Sequence, residues 1–217
     1  MDRTLADVWP ALLNGLFTTV TVSSSALLLG GPLAVLLAAA SRGGRLPRTV
    51  AGLYVSFWRG TPILVQLLVV FYLLPFLGLE LEPPVAATLA LALNTAAFQS
   101  EIYRAGLLAV PRGEIEAAKM LGLTAAQTFL RIEVPQAVHK MLPALVGEMQ
   151  ALVKNSSLVS VIAVMDVTRR AQQVAASTFR PLEAYASALL LYVGIGAVLA
   201  GIGLLVERRL TQEARQR

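Results

Sequence analysis

The 217-residue chain has no cysteine and one histidine, His139. The first absence excludes disulfides and thiolate metal or redox sites, and the second removes most catalytic sets that need a general base. No Gly-Lys pair occurs anywhere, so the chain lacks the phosphate cradle G-x-x-x-x-G-K-[ST] and does not bind ATP through a P-loop. Charge is also scarce. Only 14% of residues are charged while 56% are hydrophobic, and the mean hydropathy is +0.68. That composition excludes an ordinary soluble domain and identifies an all-α integral membrane protein. The net charge of +5 does not point to nucleic acid, because the basic residues are scattered through short polar segments, where the positive-inside tendency explains them.

What is present is a set of long apolar runs. A span needs about 20 mostly apolar residues, which leaves room for about five transmembrane helices. The expected spans cover residues 12–40, 50–77, 85–108, 138–164 and 185–206. Trp9 and Pro10 belong at a membrane interface, and the first run is too long for a signal peptide, despite Ala38-Ala39-Ala40. Its Ser and Thr residues are expected to bond to helix carbonyls or to a neighbouring helix. The second run is interrupted by Arg59, Gly60 and Pro62, so either its helix kinks or residues 49–58 lie along the surface. Residues 166–183 read as a polar loop. Gly194, Gly196, Gly201 and Gly203 suit close helix approach in the fifth span, which Glu207-Arg208-Arg209 should stop.

Lys and Arg counted on alternate sides give twelve against four. Arg42, Arg45, Arg48, Arg104, Arg112, Lys119, Arg131, Lys140, Arg208, Arg209, Arg215 and Arg217 oppose Arg3, Arg169, Arg170 and Arg180. The C-terminus and the polar middle are therefore expected in the cytoplasm, and the N-terminus outside.

The polar middle is an amphipathic stretch in an oily chain, and it reads as a docking surface. Residues 114–121 suit two turns of helix after Pro111 and Gly113, with Gly122 as a left-handed cap. Thr124 and Gln127 have capping-box spacing, and Pro135 should end a second short helix. The same stretch holds Glu116-Ala117-Ala118, then Gly122, Ile132 and Val134-Pro135. Around it stand Tyr54, Arg59-Gly60-Thr61-Pro62, Glu101-Ile102-Tyr103-Arg104-Ala105-Gly106, Pro135-Gln136-Ala137 and Lys154-Asn155-Ser156-Ser157-Leu158. In this order they resemble the inner-membrane permease subunits of ATP-binding cassette (ABC) importers of the polar amino acid family, with Val134 where leucine is usual.

The resemblance implies a single permease domain over residues 1–217, with a cytoplasmic EAA coupling loop at about 109–137 between helices 3 and 4. Gly113, Glu116, Ala117, Ala118, Gly122, Ile132 and Pro135 would couple it to the ATPase. Two ATPase subunits would carry ATP and Mg, and this chain would bind no cofactor. A second permease subunit, identical or related, and an extracytoplasmic solute-binding protein would complete the assembly in a bacterial inner membrane. The solute stays open.

Polar groups stranded in apolar spans are the candidates for the substrate pathway. Asn94, Phe98 and Glu101 share a helix face, and Glu101 suits either a substrate ammonium or Arg104. Lys154 is too deep for easy snorkelling and needs Glu148, Glu101, a neighbouring subunit or a substrate carboxylate as partner. Ser156 and Ser157 are expected to satisfy backbone groups near a helix break, and Arg59 to be a structural charge. An ion-coupled carrier or channel would use Glu101 and Lys154 differently, and a scaffold would use neither. Both leave the docking stretch unexplained.

Overall fold

The computed structural model describes residues 5–215, and Asp2, Arg3 and Arg217 lie outside the described residues. Every element among the described residues is helical: α1 (Leu5–Ser41), α2 (Arg45–Gly60), α3 (Ile63–Phe76), α4 (Pro83–Leu108), α5 (Arg112–Met120), α6 (Ala125–Thr128), α7 (Val134–Ser156), α8 (Val167–Thr178) and α9 (Pro181–Arg215). A π turn, Phe129–Glu133, joins α6 to α7, and a 3₁₀ segment, Ser157–Ile162, follows α7.

Helix α4 is the centre. It packs against α1, α7, α3 and α2, and its buried residues are mostly small: Ala86, Ala87, Ala90, Ala92, Ala96 and Ala97. Small residues let helix backbones approach closely where lipid tails supply no hydrophobic drive between helices. Gly30 of α1 shows how close: a Cβ there would lie 2.7 Å from the Ala92 carbonyl oxygen and 2.7 Å from the Thr95 methyl. Larger side chains, Leu67, Leu91, Leu152, Val159 and Ile162, fill the space beside this contact.

By length and apolarity two helices suffice to cross a membrane, Trp9–Ser41 and Pro181–Arg209, and up to four if each bent helix pair is one span. Helix α4, the expected third span, is long enough at about 1.5 Å per residue, but its buried polar groups keep it out of that set. The second run is broken rather than kinked. Helices α2 and α3 meet at 107°, and Gln66 braces the break by donating to the carbonyls of Trp58 (2.8 Å) and Thr61 (3.0 Å). Tyr54 ties α2 to α4 by donating to the Leu93 carbonyl at 2.7 Å.

Two expectations need correction. Residues 166–183 are not a loop, because they hold α8. Asp166 caps it, accepting from the Arg169 amide at 2.8 Å, and buried Val167 and Ala171 give it an apolar stripe against α1 and α9. The apolar span of the last helix does end at Glu207-Arg208-Arg209, as expected, although the helix itself continues to Arg215. Of the four glycines in α9, only Gly203 is one where an added Cβ would meet a neighbour, the Val146 side chain, while Gly196 touches α7 through its carbonyl, which accepts from Gln150 at 3.2 Å. Two hydroxyls of α1 behave as expected, Ser24 donating to the Val20 carbonyl at 2.7 Å and Thr19 accepting from the Val167 amide at 3.2 Å, but the buried Ser23 hydroxyl has no partner among the described residues.

Candidate functional site

The docking stretch forms a projecting corner. Helix α5 ends where Gly122 turns left-handed, φ +79°, with Gly122 N–H bonded to the Lys119 carbonyl (3.0 Å) and Leu123 N–H to that of Ala118 (3.1 Å). The capping box is present: Gln127 N–H donates to Thr124 Oγ1 and Thr124 N–H to Gln127 Oε1. Glu116, Ala117 and Gly122 are exposed, and Met120 and Leu121 are bare, at 89% and 82% exposure. Ala118 is buried and holds the turn together. Gly113 lies inside α5 with no neighbour, so it does not serve as the break expected before the helix.

Pro135 does not end a second helix. It sits in the first turn of α7, and the chain passes through the π turn, where Val134 N–H reaches back to the Phe129 carbonyl. Proline lacks an N–H and its ring crowds the carbonyl four residues back, and one extra residue in the turn relieves both. Ile132 is half-buried in that turn and Pro135 is exposed.

The corner is fastened to the bundle on three sides. Arg42, from the end of α1, pairs with Glu133 at 3.2 Å and lies 5.3 Å from the Phe129 ring centre. Lys140 donates to the Ala109 carbonyl, and Gln136 to the Glu114 carboxylate. Displacement of α5 therefore pulls on α1, α4 and α7 together.

The second group of candidate residues lies along α4. Asn94 is buried and donates to Gln66 Oε1 (2.8 Å) and the Trp58 carbonyl (3.2 Å), so it braces the α2–α3 break. Phe98 lies under Arg59, whose guanidinium is 5.2 Å from the ring centre. Glu101 binds Arg104 through both oxygens (3.0 and 2.6 Å) and Arg59 at 3.8 Å. The intramolecular partner thus occupies Glu101. The Arg59–Glu101–Arg104 group forms a wall between two cavities of about 850 and 490 Å³.

Lys154 is brought together with neither Glu101 nor Glu148. It is exposed at a smaller cavity of about 320 Å³, beside Ser157, Thr168, Tyr185 and Tyr192. Ser156 and Ser157 do satisfy the backbone at the break, donating to the carbonyls of Val153 and Lys154 at 2.7 Å each. Sequence reasoning missed Glu148 as a site of its own. Its carboxylate accepts from Thr95 at 2.8 Å, Gln99 donates on to Thr95 (3.0 Å) and Tyr103 to Gln99 (2.9 Å), a polar ladder up one face of α4. The i, i+4, i+8 spacing of Thr95, Gln99 and Tyr103 was a signal that could have found it.

The family model described as "Binding-protein-dependent transport system inner membrane component" matches residues 30–212. The chain is 37% identical over 211 residues to the L-cystine transport system permease protein TcyB of Bacillus subtilis (strain 168), covering 96% of this chain and 90% of that protein. It is 38% identical over 203 residues to the arginine transport system permease protein ArtQ of the same organism, covering 93% of each. A crystal structure described as an amino acid ABC transporter with histidines superposes with a TM-score of 0.89 at 33% identity, over 96% of this chain and 100% of that one.

Proposed function

Since this chain belongs to the binding-protein-dependent transport system inner membrane components, we propose that it imports a polar amino acid or related solute by alternating access. It is a permease subunit of an ABC importer and not an enzyme; ATP is hydrolysed on a separate ATPase. The single observation that carries the reading is the corner at Gly122, bare at Met120 and Leu121 yet fastened to α1, α4 and α7.

In this reading α1, α3, α4, α7 and α9 span the membrane, with the corner and the C-terminus cytoplasmic and the N-terminus outside. Residues 1–217 form one permease domain with a coupling loop at about 109–137. Glu116, Ala117, Met120, Leu121 and Gly122 meet the ATPase, while Gly113, Ala118, Ile132 and Pro135 shape the loop. Two ATPase subunits bring ATP and Mg, this chain binds no cofactor, and an extracytoplasmic binding protein delivers the solute. A second permease, identical or related, covers part of α9, which packs little within this chain. Phe98, Glu101, Glu148 and Lys154 are pathway candidates, with Asn94 and Ser156 supporting them. A half-buried carboxylate, Glu148 beside Thr95, without a cation at ion-pair distance suits a solute ammonium or guanidinium, and the free Lys154 suits a carboxylate.

Co-expression with ATPase and binding-protein partners, followed by purification in detergent and reconstitution, tests this. Wild type should carry the ATPase and show ATP hydrolysis stimulated by solute-loaded binding protein. Gly122→Asp and Glu116→Lys should insert in the membrane but lose both properties. Variants indistinguishable from wild type would remove the corner from the mechanism.

A further inference from the structure

A cavity of about 850 Å³ lies between the end of α1, one face of α2, the end of α4 and the start of α5. Its floor is apolar, built from residues such as Leu37, Val55, Leu107 and Ile115, and its rim carries five arginines against two glutamates. Glu133 is taken by Arg42, and Glu101 is shared by Arg104 and Arg59. That leaves Arg48 and Arg112 without a carboxylate at ion-pair distance among the described residues. Arg48 donates only to the carbonyls of Ser41 (3.2 Å) and Gly43 (3.4 Å). A concave, apolar-floored cavity with excess guanidinium groups calls for an amphiphile with an anionic head.

Helix α2 sets the depth of this cavity. It has three arginines and no acidic residue, and Leu46, Val50, Leu53 and Phe57 form an exposed apolar stripe along it. Arg48, Gly52, Val55 and Arg59 lie on the opposite side and line the cavity. A basic amphipathic helix of this pattern lies in the interfacial plane with its apolar face in the acyl region and its arginines at headgroup level. We infer that the cavity is a binding site for the phosphate headgroup of an anionic phospholipid of the coupling-loop leaflet, held by Arg48 and Arg112. The occupied site would join α2 to the first turn of α5, so lipid charge would act on the coupling loop. The choice of leaflet rests on the orientation proposed above.

The test uses the full chain carrying Trp9→Phe in non-ionic detergent, so that Trp58, next to Arg59, is the one remaining tryptophan and its fluorescence is the readout. Brominated phosphatidylglycerol should quench saturably, and brominated phosphatidylcholine should not. Near a surface each basic residue contributes about fivefold in affinity, so Arg48→Gln/Arg112→Gln should weaken quenching roughly 25-fold. Arg48→Lys/Arg112→Lys should restore most of it, and an unchanged helical circular dichroism spectrum would show that the variants fold. Equal quenching by both lipids, or no loss in the glutamine variant, overturns the proposal. Displacement by 10 mM-range inorganic phosphate, on the order of ordinary anion competition, would also overturn it in favour of a free anion. Orientation does not enter a detergent titration, so a negative result leaves the importer reading standing, and loss of ATPase co-purification leaves the lipid site standing.

Discussion

Two glycines nine residues apart on the docking stretch should respond oppositely to the same substitution. Gly122 has φ +79° and open space around it, so Gly122→Ala meets no clash but forces an L side chain into the left-handed region. That costs about 1–2 kcal/mol. Gly113 lies inside α5 with ordinary helical φ, also in open space, so Gly113→Ala should gain roughly 0.5–1 kcal/mol. A docking partner that needs the formed corner sees an affinity reduced by the fraction of time it is formed. At tenfold per 1.4 kcal/mol, Gly122→Ala should weaken ATPase binding by about 5- to 30-fold where an unstrained frayed corner competes. Gly113→Ala should bind as well as wild type or better. Titration of a labelled ATPase subunit onto detergent-solubilised permease reads the affinity, and hydrogen exchange at the Leu123 amide, bonded to Ala118, reads the corner. Equal damage at both positions would refute the reasoning. So would lost binding with undiminished protection at Leu123.

Other outcomes follow from the packing. Gly30→Ala places a Cβ 2.7 Å from the Ala92 carbonyl and should cost about 1–3 kcal/mol in thermal unfolding of the solubilised chain, whereas Gly194→Ala, inside α9 and in open space, should gain roughly 0.5–1 kcal/mol in the isolated chain. Asp166→Ala removes the cap of α8 and the acceptor for Tyr192, and should cost about 1–3 kcal/mol; Tyr192→Phe, which loses only its hydroxyl, should cost less in the same assay. Glu148→Gln keeps an acceptor for Thr95 but removes the charge. Uptake of a cationic amino acid by reconstituted vesicles should fall about 10- to 100-fold, the worth of one charge-assisted hydrogen bond, with ATPase co-purification unchanged.

The features legible in the sequence were those whose cause is local. Gly122 caps α5 because only nearby atoms decide its φ, and Thr124 with Gln127 closes a capping box for the same reason. The pairing of Glu101 with Arg104, three residues apart, was open to reading from spacing as one of two alternatives. Pro135 misled because its usual effect was absorbed by a π turn, which leaves no simple residue signature. Helix α8 reads as a loop in the sequence because its polarity outweighs the stripe of Val167 and Ala171, which needs α1 and α9 beside it to count as an apolar face. Contacts such as Arg42 with Glu133 or Thr95 with Glu148 join distant segments, and helical periodicity contains nothing about them.

The contact between Gly30 and the Ala92 carbonyl has a mechanical consequence. Side chains between two helices act as a compliant layer, because they can change rotamer and let one helix slide past the other. At Gly30 that layer is missing; Gly15, packed against the Asp166 carbonyl, makes a similarly close approach between the other end of α1 and the start of α8. Helix α1 and α4 therefore have the stiffness of one beam. A push delivered at the Gly122 corner must swing that beam as a whole, and bending has to be taken up at the 107° elbow between α2 and α3, whose peptide groups are held by amide side chains that can exchange partners.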